Sequence, residues 1–206
     1  MSAATLLERA FIATAEPLHD AASARILDAA RDLVAASGLK ALTMDDVAAR
    51  AGVGRMTVYR RFGDREALVD ALAVREVKAC LVVLDQAVDP GDPIPDQIAA
   101  GFVTSLRLVR THPLLARAAR HEPGEALETL NANDGFLFGL ARGFVAARLG
   151  EALAAGDIQG LDPDHTAELL VRVGVSFLLI PTSVLPLADE QSAAEVARRL
   201  IAPILG

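Results

Sequence analysis

Residues 38–69 read GLKALTMDDVAARAGVGRMTVYRRFGDREALV. Thr43 precedes Met44-Asp45-Asp46, a hydroxyl cap followed by acids that suit the positive end of a helix dipole. The helix this opens runs to about Ala51, and Gly52-Val53-Gly54 breaks it. A second short helix follows from Arg55 to Phe62. Two helices crossing at a tight turn need a small residue at the crossing and a turn residue tolerant of positive φ. Ala48 and Gly52 supply these four residues apart, with Val47, Ala51, Val53 and Val58 facing inward. The spacing predicts a helix-turn-helix from Thr43 to Phe62.

Working outward, Ile26, Leu27, Ala30, Leu33 and Val34 recur at three- and four-residue spacing, predicting a helix capped by Ser23 and stopped at Gly38. Asp64 caps a longer helix to about Val88 that bridges a small N-terminal unit to a larger body. The run Asp89-Pro-Gly-Asp-Pro-Ile-Pro95 is a loop. Beyond it, helices are expected near 95–110, 113–121, 124–155, 163–180 and 190–204. No strand-length alternation and no internal repeat occurs, and Ala and Leu dominate. The expected fold is all-α. It divides into a flexible N-terminal arm over 1–22, a three-helix helix-turn-helix domain over 23–72 and a helical body over 73–206.

Charge is segregated along this frame. The net charge is −7, yet residues 23 to 75 carry +2, so the remainder carries −9. Between Arg50 and Arg65 five arginines face one acid, Asp64. This is the footprint of one polyanion-facing surface on an acidic body that resists non-specific coating. Cys80 is the only cysteine, which excludes an internal disulfide framework and fits a reducing cytoplasm. Met1 to Asp20 lacks the pattern of a secretory signal, and the most apolar run, Val173 to Leu187, is interrupted by Pro181 and Pro186. A cytoplasmic protein with no membrane partner is expected.

The second helix of the pair presents Arg55, Thr57, Tyr59, Arg60 and Arg61. Such a helix lies in the major groove of double-stranded DNA with its N-terminal side chains on base edges. Arg55 matches guanine O6 and N7, while Thr57 and Tyr59 suit phosphate. Arg65, in the first turn of the next helix, is a further phosphate candidate, and Thr43 is a cap first and a phosphate contact second.

These residues carry a resemblance. The quoted stretch looks like the N-terminal domain of the tetracycline-repressor (TetR) family, through T-x-x-x-[IV]-A-x-x-A-G-V-[SG]-x-x-[TS]-[LV]-Y-x-x-F followed by a basic residue, Glu and Ala-Leu. The match spans about residues 23 to 72, roughly a quarter of the chain. Gly54 departs from the family's frequent Ser, and Arg61 stands where Tyr or His is usual. The resemblance implies a homodimeric transcriptional repressor that leaves its operator when the body binds a small apolar effector of unknown identity. A binding module whose helix-turn-helix is purely structural is the alternative.

By residue type, the effector pocket candidates are Phe102, Leu106, Arg110, His112, Phe136 and Phe138, although a plain core or surface role is the commoner one for each of these residue types. Gly135, Gly139, Gly143 and Ala147 form a small-residue stripe, placed either at a dimer interface or inside one subunit. The helix over 163–180 is apolar nearly all round; Glu168 is the obvious intrahelical partner of Arg172, with a cross-dimer or ligand carboxylate as the alternative. Enzyme chemistry is not expected. His19, His112, His121 and His165 lack metal-ligand spacing, and no nucleophile elbow, phosphate loop or dinucleotide fingerprint occurs, so no metal or cofactor is implied.

Overall fold

The structure, a computed structural model, describes residues 20–121 and 123–205. The expected N-terminal arm therefore lies outside the described residues up to 19, and Ala21 and Ala22 already belong to the first helix. The described chain is helical: α1 is Ala21–Ser37, α2 Met44–Ala51, α3 Arg55–Phe62 and α4 Arg65–Ala87. There follow α5 Ile94–Thr111, α6 Pro113–His121, α7 Pro123–Ala155, α8 Pro163–Leu179 and α9 Glu190–Val196. A π-helical turn, Ala197–Ile201, and a 3-10 turn, Ala202–Leu205, complete it in place of one regular helix to 204.

Short side chains start these helices as their chemistry dictates. Thr43 Oγ1 accepts from the Asp46 N–H at 3.1 Å, and Asp64 accepts from Ala67 N at 2.9 Å. Each such cap is worth about 0.5–2 kcal/mol. At α1 the cap is Asp20, not Ser23 as expected. Ser23 is buried and its own N–H donates to Asp20 at 3.0 Å. The helical pattern continues one turn further back than the first apolar residue reveals.

The first four helices share one core. Ile26 and Leu27 of α1, Val47 of α2, Val58 of α3 and Leu68 of α4 are fully buried together. At roughly 1.5–3 kcal/mol per buried aliphatic side chain, this cluster holds the short α2 and α3 in place, which neither could do alone. Gly52 closes α2 in the left-handed region at φ 65°. A Cβ there would meet nothing within 4 Å, so the turn needs glycine for its backbone conformation rather than for space.

In the body, α7 packs against α8 and α9 against α5. The long α4 bridges the two parts, and Leu114 of α6 packs onto the core of the first four helices. Cross-ties reinforce the junction: Arg75 to Asp28 at 3.0 Å and Lys40 to Glu125 at 2.8 Å. Helix α7 is not the continuous rod expected over 124–155. Its backbone leaves helical geometry from Ala132 to Gly135, with Asn133, Asp134 and Gly135 all at positive φ. The Asn133 amide donates to Asp70 of α4 at 2.9 Å, which holds the break against the bridging helix.

Candidate nucleic-acid interface and cavity

Helix α3 rests on Val58 and Phe62, which are buried, and turns the rest of its surface outward. Arg55, Met56 and Arg60 are exposed, and Thr57 and Tyr59 are half-buried beside them. Arg55 is engaged on its own surface. It pairs with Asp45 at 2.9 Å, donates to the Tyr59 hydroxyl at 3.4 Å and stacks 5.4 Å from that ring's centre. An exposed pair of this kind contributes only about 0–1 kcal/mol. The pair with Asp45 is therefore weak enough for the Arg55 guanidinium to leave it for another partner. Gly54 precedes the helix with ordinary backbone angles and no side-chain cap. A Cβ there would lie 3.8 Å from Thr57 Oγ1, an ordinary contact that leaves room for a small side chain.

Two arginines singled out from the sequence have local partners. Arg61 donates to Asp20 and to the Ser23 hydroxyl, joining α3 to α1. Arg65 donates through Nε to the Leu42 carbonyl at 2.9 Å and through a terminal nitrogen to that of Leu39. Both carbonyls lie in the connection between α1 and α2, where that of Leu39 also accepts from the Leu42 N–H at 3.2 Å. Thr43 sits at the rim as a cap, exposed.

The helices surround a partly open cavity of about 500 Å³, within the size of small-molecule sites. Of the residues expected there, Phe102, Leu106 and His112 line it. Arg110, Phe136 and Phe138 do not. Arg110 donates to the Leu187 carbonyl, Phe136 is exposed, and Phe138 lies 5.1 Å from the Arg172 guanidinium. Leu137, between the two phenylalanines, is the buried residue that lines the cavity. Successive helical residues point about 100° apart, so its neighbours turn away. Arg172, expected inside a helix buried on several sides, is exposed and holds Glu168 at 2.5 Å.

The wall includes residues that the sequence reading did not place there: Glu76, Cys80, Glu125 and Arg148. Burial pushes Glu76 up, but hydrogen bonds from His112 at 3.1 Å and Arg75 at 2.7 Å outweigh it and hold the carboxyl below its usual range. Burial, with the nearby Glu76 charge, pushes the Cys80 thiol up to about 11. The signal for Glu76 was present in its register. Leu68, Leu72 and Glu76 follow one another at four-residue spacing, and an acid in a buried stripe marks a built site. Val34 and Leu39 also line the cavity, so the N-terminal unit contributes to its wall.

Known proteins resemble this chain in sequence and fold. The profile described as bacterial regulatory proteins, tetR family, matches residues 26–72. An uncharacterized HTH-type transcriptional regulator of Mycobacterium tuberculosis is 30% identical over 194 residues, covering 89% of this chain and 85% of that one. The HTH-type transcriptional regulator EthR of Mycolicibacterium smegmatis is 29% identical over 86% of this chain and 80% of its own. The crystal structure of the TetR family repressor AlkX from a Dietzia strain, implicated in biodegradation of n-alkanes, superposes with a TM-score of 0.66 and 25% identity. That superposition covers 92% of this chain and 97% of that one. The chain therefore belongs to the tetR family of bacterial regulatory proteins and is a DNA-binding transcriptional regulator.

Proposed function

We propose that the protein is a homodimeric repressor whose two α3 helices read the half-sites of an operator, and that an apolar molecule in the 500 Å³ cavity releases it. The observation that carries this reading is the shared wall. Val34 of α1 and Leu39 beside it line the same cavity as α4, α5 and α7. A ligand that moves those helices thus pushes on the DNA-reading unit through direct packing. The natural division is a reading unit over 23–72 and an effector and dimerisation body over 73–206, with α4 continuous across the boundary. Arg55, Thr57, Tyr59 and Arg60 are the leading DNA contacts, with Thr43 at the rim; Arg61 and Arg65 serve mainly to hold the unit together.

Dimerisation through α7 and α8 is supported by what those helices leave open. Leu169 and Phe136 are exposed, and a Cβ at Gly139 or Gly143 would meet nothing within 4 Å. Gly135 leaves the small-residue stripe, because it sits in the break of α7. Two heads set for successive major grooves stand about 34–36 Å apart. Loss of that spacing removes avidity without altering any single head. The name of the AlkX relative, with its link to n-alkanes, is in keeping with an apolar effector.

A mobility-shift titration of the intergenic DNA beside the gene, with competitor DNA, tests the reading. Specific retardation is expected, weakening by roughly 10³–10⁵ between 50 and 200 mM salt for 6–10 neutralised phosphates. Arg55→Ala and Tyr59→Ala should each weaken the specific complex by tenfold or more. Retention of specific binding by both variants would rule α3 out as the reading helix.

A further inference from the structure

Helix α3 carries one large apolar side chain outside the core. Met56, its second residue, is 76% exposed. It belongs neither to the core of the first four helices nor to the partly buried residues packed against that core. A single exposed hydrophobic residue is ordinary on a protein surface. The place of this one on the helix is not.

Successive helical residues turn by about 100°, which sets Met56 and Arg60 about 40° apart on one ridge. The buried pair, Val58 and Phe62, lies between about 120° and 160° away from Met56 around the axis. Both Met56 and Arg60 are exposed, as that geometry requires. Arg55 and Tyr59 flank the ridge on one side and Thr57 on the other. Met56 is therefore the most N-terminal residue of the ridge that faces away from the core. In a helix lying in the major groove, N-terminal side chains meet the base edges, and the ridge opposite the core points at the groove floor.

The chemistry of the side chain narrows what it can meet there. A thioether has no hydrogen-bond donor and only a weak acceptor, so it cannot read the polar edges of the bases. Thymine alone presents an apolar group in the major groove, its 5-methyl. An unbranched chain with three rotatable bonds can follow that methyl as the helix settles.

We infer that Met56 is a specificity-determining residue that packs on a thymine methyl, beside the base that Arg55 contacts. The inference rests on α3 being the reading helix, and adds an apolar contact between the polar ones. Burying one methyl-sized group favours thymine by about fourfold per half-site over the same base without its methyl.

The test starts from a library of randomised duplexes, from which the full chain selects its preferred sequence. Each thymine of the selected duplex is then replaced in turn by deoxyuridine, which removes only the methyl. Mobility shifts give the affinities of the wild type, Met56→Ala and Met56→Leu. Replacing one particular thymine should weaken the wild type about fourfold. Met56→Ala should bind the thymine duplex more weakly, and should no longer distinguish thymine from deoxyuridine at that position. Its melting temperature should be unchanged, since the side chain is exposed. Met56→Leu should restore most of the discrimination. A penalty for deoxyuridine that persists in Met56→Ala, or no penalty at any thymine in the wild type, overturns the methyl contact while leaving α3 as the reading helix. Specific binding that survives both Arg55→Ala and Tyr59→Ala overturns the reading helix itself, and this inference with it.

Discussion

The Arg61 guanidinium lies 2.6 Å from the Asp20 carboxylate and 3.0 Å from the Ser23 hydroxyl, so the last turn of α3 is tied to the first turn of α1. The Ser23 backbone N–H and then Arg61 hold Asp20 below the usual carboxylate range. Arg61→Ala should lower the melting temperature by a few degrees and reduce DNA affinity less than Tyr59→Ala does. Thermal melts and mobility shifts on the same preparations check this. A large loss of DNA affinity with an unchanged melting temperature would make Arg61 a direct contact instead.

Arg65 bridges the Leu42 carbonyl and the Leu39 carbonyl, the second of which also accepts from the Leu42 N–H at 3.2 Å. Hydrogen bonds from a charged donor contribute about 1.5–3 kcal/mol, so Arg65→Ala should lower the melting temperature by roughly 5–10 °C. Arg65→Lys should restore little, because one ammonium cannot reproduce the two-pronged geometry. Recovery of full stability by lysine would show that charge alone matters there.

Glu76 titrates below its ordinary value of 4.5 in the folded chain. A carboxyl with a depressed folded pKa stabilises the fold fully above its unfolded value, and that stabilisation is lost as the pH falls through the folded one. Urea unfolding should therefore give a midpoint that drops below about pH 4.5. Glu76→Gln should flatten that part of the drop, and an unchanged acid limb in the variant would assign the loss to other groups.

Cys80 lines the cavity, and its thiol sits about two units above the ordinary 9.0. Since the thiolate is the reactive form, alkylation by iodoacetamide at pH 8 should run about a hundredfold slower than for a free thiol. An occupied cavity should slow it further. Mass spectrometry of the intact protein follows the reaction, and modification at the rate of the denatured chain would contradict the buried placement.

The helix-turn-helix was legible because its determinants are local. Thr43 caps within three residues, and Gly52 closes the turn on α2 itself. The break in α7 was also written locally, in Asn131-Ala-Asn-Asp-Gly135, a cluster of turn-forming residues. The apolar periodicity on either side masked it, and what holds it in place, the bond from Asn133 to Asp70, spans 63 residues. The cavity was legible only in part. Phe102, Leu106 and His112 were expected there, whereas the orientation of Phe136 and Phe138 follows from where the break sets the register of the helix after it.

By itself the sequence determined an all-α DNA-binding regulator with a helix-turn-helix whose second helix spans 55–62, since spacing, caps and a positive-φ glycine act over a few residues. Only the tertiary structure decided which arginines are tied down within the fold. Arg60 stands exposed and Arg55 holds an easily exchanged surface partner, while Arg61 and Arg65 are engaged by groups 41 and 26 residues away. It also decided that Glu76, Cys80, His112 and Glu125 share one cavity wall. Such meetings depend on how helices pack against one another, and packing is set by the whole core rather than by any stretch of the chain.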